Sequence, residues 1–251
     1  MTKKRDVEPS RKTSKYSMAL KNQGKGTDQQ INIELNELKA FLNQHNLVAR
    51  SVSYYHIKRF IDIFFSAIAL LILFPIYLAL AVVVRCTSSG PIFYKSYRVG
   101  LCGKPILFVK YRTMRIDADK MLEDLQKANE KDGPIFKMKR DPRITRIGSF
   151  LRKYSLDELP QFLSVLVGDM SMVGPRPPIP KEVICYDETS LKRLTIKPGI
   201  TCYWQIMGRS NLSFEEWVRL DLKYLDEMSV WTDFQIMFKT VPAVLSTRGA
   251  Y

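Results

Sequence analysis

Ile63-Phe64-Phe65-Ser66-Ala67-Ile68-Ala69-Leu70-Leu71-Ile72-Leu73-Phe74-Pro75-Ile76-Tyr77-Leu78-Ala79-Leu80-Ala81-Val82-Val83-Val84 is a run of about 22 residues without a charge. A continuous helix of that length crosses the hydrocarbon core of a bilayer. Two features argue for a different path. Lys58 and Arg59 precede the run, Arg85 follows it, and the sequence downstream stays strongly basic, so the positive-inside rule puts both ends in the cytoplasm. Pro75 lies near the midpoint, where a missing N–H and a bulky ring break a helix. A re-entrant helical hairpin that turns back at Pro75 is therefore preferred to a spanning helix, with Ser66, Tyr77 or packed backbone satisfying the freed carbonyls. A core helix of a soluble domain is the weakest reading at this length and purity.

The remainder divides around that run into a leader (1–56), the membrane segment (57–89) and a cytosolic domain (90–251). With 251 residues and 46% hydrophobic content, the chain suits one sizeable domain plus an attachment. A formal net charge of +14 calls for an acidic partner, whether nucleic acid, anionic lipid or a nucleotide substrate. Cys86, Cys102, Cys185 and Cys202 show no C-x-x-C spacing, and His45 and His56 lie outside the later motifs. That disfavours a zinc site and suits reduced cytosolic thiols. Residues 1–28 are basic and polar with no apolar run, which reads as a basic tail and not a signal peptide. Ile31, Leu35, Leu38 and Leu42 then form one helical stripe after Thr27 or Asp28, an amphipathic helix for the membrane, the domain or a partner.

Past Gly90-Pro91, two short apolar stretches flank Gly100 to Gly103 and read as a β-hairpin with Lys and Arg on its exposed face. Residues 115–131 are helix-like and stop at Asp132-Gly133-Pro134. Lys137, Lys139, Arg140, Arg143, Arg146, Arg152 and Lys153 follow in quick succession. Such a run is commonly a solvated face or a patch for lipid head groups, but this one leads into Tyr154-Ser155-Leu156-Asp157-Glu158-Leu159-Pro160-Gln161. Because Pro160 is tolerated only in a first turn, Asp157 is favoured as N-cap, with Ser155 as the competing cap and Glu158 as its capping-box partner. Either register sets two carboxylates at the positive end of a helix beside cations, where an anion could approach. A plain helix cap is the bland alternative.

After a helix over 159–167, the glycines and prolines of residues 168–178 read as a rigid turn holding Arg176. Lys197-Pro198-Gly199 forms a second turn, and Ser213-x-x-Glu216 is a capping box for a helix to Met228. Trp217, Tyr224, Trp231 and Phe238 recur every seven residues, as an interfacial aromatic belt or as core packing.

With Lys58-Arg59-x-x-Asp62, Lys110-x-Arg112-Thr113-Met114, Leu151-Arg152-Lys153, Leu156-Asp157-Glu158-Leu159-Pro160-Gln161, Gly168-Asp169-Met170-Ser171, Val173-Gly174-Pro175-Arg176-Pro177 and Lys197-Pro198-Gly199 in this order, the chain resembles the bacterial sugar transferase family, the monotopic polyprenyl-phosphate phosphoglycosyl transferases. The likeness runs from about Ile57 to the C-terminal Tyr251. It implies a helix-rich α+β fold, with a re-entrant helix broken near Pro75, a small β-hairpin and amphipathic interfacial helices around a cytosolic active site. It also implies a catalytic dyad at Asp157 and Glu158, phosphate-binding cations at Lys110, Arg112, Arg152 and Arg176, and magnesium held with the help of Glu158. Longer relatives carry extra transmembrane helices ahead of the shared domain, where this sequence has a basic leader. Where many relatives have small residues after Pro-Gly-Ile-Thr, this chain has Cys202-Tyr203-Trp204, which leaves the sugar and nucleotide open.

The expected reaction passes a sugar-1-phosphate from a UDP-sugar to undecaprenyl phosphate with release of UMP, through an aspartyl intermediate on Asp157. Such a reaction initiates exopolysaccharide, capsule or O-antigen synthesis. The helix dipole and nearby guanidinium groups would keep that carboxylate ionised, and Asp169 is a metal contact or, more simply, a helix-end cap. The expected setting is the bacterial inner membrane with the domain facing the cytoplasm, against inner-leaflet anionic lipids; a homo-oligomer is allowed. Two rivals stand beside it. One is a membrane-bound glycosyl transferase that releases UDP. The other is a non-enzymatic basic membrane-tethered module, although no nucleic-acid-binding motif of the usual kinds is present.

Overall fold

The computed structural model describes residues 51–125, 128–130 and 133–249. The basic tail and the amphipathic stripe of Ile31 to Leu42 lie outside the described residues. The Ser51 hydroxyl accepts from the Tyr54 N–H at 3.3 Å and starts helix α1, Val52–Ile72. Helix α2, Phe74–Thr87, follows at a bend of 61° with Pro75 in its first turn, where the missing N–H has no helical partner to lose. The sequence places the break correctly, and of the three partners expected for the carbonyls there it is backbone, not the Ser66 or Tyr77 hydroxyl, that serves. The Leu73 N–H donates to Ala69 O and the Tyr77 backbone N–H to Leu73 O, both at 2.9 Å. Among the described residues no single helix is long and apolar enough to cross a membrane; the bent pair meets that test only together.

The polarity of α1 is inverted. Phe60, Phe64, Leu71 and Ile72 are exposed, whereas Lys58, Asp62 and Ser66 are buried. Lys58 and Arg59, read from the sequence as basic flanks of the apolar run, are engaged inside the protein. Lys58 Nζ lies 2.8 Å from Asp233 Oδ2 and donates to the Tyr224 hydroxyl at 3.2 Å. Arg59 donates to the carbonyls of Val165 and Leu166 at 2.7 and 2.6 Å, and Asp62 accepts from the Ser171 hydroxyl and the Met172 N–H. Each of these buried polar groups is satisfied by a partner far along the chain, which fixes how α1 lies on the domain.

The hairpin forms as expected. Strands β1, Phe93–Val99, and β2, Pro105–Tyr111, pair antiparallel from Phe93 opposite Tyr111 to Val99 opposite Pro105. Its cations divide: Lys95 is exposed as expected, whereas Arg98 is buried and shares the inward face with Ile106, Phe108 and Lys110. Helix α3, Ala118–Leu125, is shorter than expected. Helix α4, Arg146–Lys153, starts at Thr145, whose hydroxyl accepts from the Gly148 N–H. A 3-10 turn over Leu156–Glu158 then leads to α5, Gln161–Val167.

Strand β3, Ser171–Val173, precedes the short helices α6, Pro180–Val183, and α7, Glu188–Leu191. It pairs in parallel with β4, Gly199–Thr201. A Cβ on Gly199 would stand 2.1 Å from the Gly174 nitrogen, so this close approach of two backbones requires glycine. Helix α8, Tyr203–Met207, leads to α9, Phe214–Glu227, which opens with the expected Ser213/Glu216 capping box, and to α10, Val230–Ser246.

One buried cluster joins Tyr54, Val173, Ile196, Tyr224, Leu225, Met228 and Ile236, and so packs α1, β3, α9 and α10 together. Another joins Leu80, Val84, Tyr111 and Leu151, and seals α2 against β2 and α4. The sevenfold aromatic series splits between its two readings. Tyr224 is core and Trp217 packs on Trp204, while Trp231 and Phe238 are exposed.

Candidate active site

Between α4 and α5 the chain reverses through Ser155, a non-glycine residue in the left-handed region at φ 54°. Such a conformation persists only where the surroundings enforce it. Arg209 Nη2 donates to the Ser155 hydroxyl at 3.0 Å, and the Tyr77 hydroxyl holds Leu159 O from the other side. The result corrects the expected cap: neither Asp157 nor Ser155 caps α5. Pro160 stands at the cap position in helical conformation, and both acids sit in the preceding 3-10 turn. The proline constraint is still met, because Pro160 precedes every residue whose N–H the helix needs.

Asp157 is 4% exposed and lines a cavity of about 320 Å³. Glu158, Lys110, Arg152 and Arg176 line it as well, so the hairpin, α4, the turn and the proline-rich loop each deliver one expected residue or more. Arg152 is oriented by donating from Nε to the Thr113 hydroxyl at 2.9 Å. Thr113 in turn is pressed against α4, where a Cβ at Gly148 would stand 2.0 Å from its carbonyl oxygen. Arg176 Nη1 is 3.8 Å from Glu158 Oε1, with both side chains partly exposed, a loose pair that a substrate anion can reorganise.

Arg112 is not brought to the cavity. Its guanidinium donates to Ser89 O, and to Ser88 O at 2.9 Å, closing the end of α2. Asp169 is also elsewhere, paired with Lys104 at 3.3 Å on the surface.

Burial pushes the Asp157 carboxyl above its usual range, and neighbouring Glu158 adds to this, against the pull of Lys110 and Arg152. The expected pull of nearby cations toward the ionised form is present, from Lys110 and Arg152, but desolvation and Glu158 oppose it and the net shift is upward. Burial also pushes the Lys110 ammonium down to about 8, with Asp157 opposing. Arg98 is pushed down to about 10, first by burial and then by Arg176.

The cavity holds cations that the sequence reading did not assign to it: Arg98, Lys137, Arg143 and Arg209. Arg98 was legible in principle, because a hairpin turning at Gly100 to Gly103 puts it on the same face as Lys110. Arg209 had no local signal. Seven cations face four carboxylates around this cavity, a balance suited to a polyanion. Of the carboxylates, Asp141 is held by Arg143 at 2.7 Å and Glu182 accepts from the Ile179 N–H, which leaves Asp157 and Glu158 for other work.

Among the described residues no group of three or more His, Cys, Asp or Glu is placed to hold a metal ion. Two consecutive carboxylates lining the cavity nonetheless fit magnesium, which binds through one or two carboxylates and completes its shell with water and substrate phosphates.

The family model for bacterial sugar transferases matches residues 53–247. The chain belongs to the bacterial sugar transferase family. Among the relatives of this sugar transferase is a protein named galactosyl transferase CpsE, from Streptococcus agalactiae serotype III. It is 46% identical over 194 residues, covering 77% of this chain and 43% of that protein. The exopolysaccharide production protein ExoY of Rhizobium meliloti is 39% identical over 198 residues, 77% of this chain and 88% of its own length. The protein of Escherichia coli K12 named UDP-glucose:undecaprenyl-phosphate glucose-1-phosphate transferase is 37% identical over 208 residues, 78% and 41% respectively. The chain thus spans less than half of two of these three relatives.

Proposed function

We propose that this sugar transferase moves a sugar-1-phosphate from a UDP-sugar to undecaprenyl phosphate, releases UMP, and so starts the assembly of a surface polysaccharide. The observation that carries the reading is Asp157, buried at a cavity wall between Lys110 and Arg152, with Glu158 and Arg176 beside it. The name of the Escherichia coli relative supports the donor, acceptor and transferred group, and that of the rhizobial relative supports exopolysaccharide production.

In the proposed first step an Asp157 carboxylate oxygen attacks the β-phosphorus of the donor. The new P–O bond to Asp157 forms as the bond to UMP breaks, and UMP leaves with the electron pair. In the second step an oxygen of the lipid phosphate attacks the same phosphorus and frees the Asp157 carboxylate, leaving a sugar diphospholipid. Lys110, Arg152 and Arg176 neutralise charge on the phosphoryl oxygens during both displacements. Glu158, with Asp157 adjacent, would hold magnesium. When bound, the ion supplies further neutralisation of the donor diphosphate.

The inner face of the bacterial cytoplasmic membrane is the proposed setting. Phe60, Phe64, Leu71, Ile72, Phe74 and Val82 are exposed on the bent helix pair, while Lys58, Asp62 and Ser66 are buried against the domain. That inverted arrangement suits a re-entrant hairpin in lipid. Trp231, Phe238, Val241 and Leu245 on α10 suit the interface beside it, and the basic surface suits anionic head groups.

The test is nucleotide release by detergent-solubilised full-length protein given magnesium, undecaprenyl phosphate and a panel of UDP-sugars. UMP is the expected product. UDP would instead make the protein a transferase of the sugar alone, and no nucleotide from any donor would sink the reading.

A further inference from the structure

We infer that the wall formed by Trp204 and Arg209 is the subsite for the nucleoside of the donor, separate from the phosphate-binding end at Lys110, Arg152 and Arg176. The inference rests on the reading of the chain as a UDP-sugar transferase. Arg209 lines the same cavity as Asp157, is 6% exposed, and stands in the left-handed region at φ 52°. Its Nη2 is spent on Ser155, but its Nη1 has no partner among the described residues. Trp204 is 8% exposed on the same wall, and its indole N–H also lacks an acceptor there. A buried donor without an acceptor costs about 1 to 3 kcal/mol, so two on one cavity wall mark where a ligand brings acceptors.

The chemistry of the wall is that of a nucleoside and not of a diphosphate. Trp204 packs on Trp217 with ring centroids 4.3 Å apart, and an apolar recess of Ile135, Leu212 and Phe214 adjoins them. Aromatic side chains at 58° to each other, with a few fixed donors beside them, suit the edge of a base and the oxygens of a ribose better than a diphosphate. Arg209 also links this end to the catalytic turn, because the same guanidinium holds Ser155, two residues before Asp157. Seating the nucleoside and fixing the turn therefore share one side chain.

The test is calorimetric binding of UMP, and separately of inorganic pyrophosphate, to the full chain in detergent with magnesium, comparing Arg209→Lys and Trp204→Phe. Trp204→Phe keeps an aromatic side chain while removing the indole N–H and the pyrrole half of the ring, so it remains informative where Arg209→Lys disturbs folding; thermal melts check both. The expected result is roughly tenfold weaker UMP binding in each variant, with pyrophosphate affinity unchanged in Trp204→Phe, the variant that leaves the Arg209–Ser155 contact in place. Equal losses for both ligands would assign the wall to the diphosphate and overturn the inference, as would unchanged UMP affinity. If the unaltered chain binds pyrophosphate but not UMP, the UDP-sugar reading itself falls.

Discussion

The Tyr77 hydroxyl donates to the carbonyl of Leu159 at 2.7 Å, while Tyr77 O accepts from the Tyr111 hydroxyl at 2.9 Å. One residue of α2 thus connects the bent helix pair to the turn that carries Asp157 and Glu158, and to the last residue of β2. Tyr77→Phe removes only the hydroxyl. The expected cost is about 1 kcal/mol of stability and a fall in turnover of roughly fivefold as the turn loosens. Steady-state rates at saturating donor, with a melting curve on the same sample, check it; an unchanged rate would separate the helix pair from catalysis.

Asp157→Asn keeps the shape of the side chain and loses the negative charge that the proposed attack on phosphorus needs. Turnover should fall at least about a thousandfold with the melting temperature held or raised, since a buried charge has gone. Intact-protein mass spectrometry after mixing with donor alone should find a sugar-phosphate adduct on the unaltered chain and none on the variant. Glu158→Gln should instead raise the magnesium concentration needed for half-maximal rate; an unaltered magnesium response would remove Glu158 from the metal.

The pH profile of kcat/KM should be bell-shaped. Asp157 must ionise from a pKa raised by burial, so the acid limb lies above the ordinary carboxylate range. Lys110 loses its proton at about 8, and the alkaline limb should fall there. Lys110→Arg stays charged throughout and should move that limb upward. Stability has its own sign: with the folded Lys110 pKa below its unfolded value, the unfolded chain binds the extra proton between them. The Lys110 contribution to stability should therefore rise with pH from about 8 to 10.5.

Lys58→Met leaves Asp233 buried without its cation. The expected loss is about 3 kcal/mol or more, read as a lower unfolding midpoint in detergent. The double variant Lys58→Met/Asp233→Asn should recover part of it, because the stranded charge has then gone as well.

A re-entrant hairpin keeps both its ends on one side. Cys86, exposed near the end of α2, and a cysteine introduced at Ser51 should both react with an impermeant maleimide from the cytoplasmic face of inverted vesicles. Reaction of the two from opposite faces would replace the hairpin with a spanning segment.

The sequence was most legible where local chemistry decides the conformation. Pro75 breaks the apolar run, Gly100 to Gly103 turns the hairpin, and Ser213 with Glu216 starts α9, each from the stereochemistry of a few adjacent residues. Illegible features depend on partners distant in the chain. The Asp157 turn is held by Arg209 and Tyr77, so local chemistry alone favours a helix started by Asp157, and the distant partners override it. The β3–β4 pair is three residues long on each side and joins Ser171 to Gly199, too short and too separated for periodicity to reveal. In the site, Asp157, Glu158, Lys110, Arg152 and Arg176 do converge, whereas Arg112 turns to the Ser88 and Ser89 carbonyls. Its place was open to Arg98, which β-register identifies only once the hairpin turn is fixed.

The inward-facing polar side of α1 bears on how this protein can be handled at the bench. A shortened version beginning after Thr87, made to avoid detergent, would strip Lys58 from Asp233, Arg59 from the carbonyls of Val165 and Leu166, and Asp62 from Ser171 and Met172. It would also uncover Tyr111 and Leu151, which pack under Leu80 and Val84. Solubility engineering therefore has to keep the bent helices and replace their outward residues, Phe60, Phe64, Leu71 and Phe74 among them, because the rest of the molecule uses the inner face of the same helices as structural material.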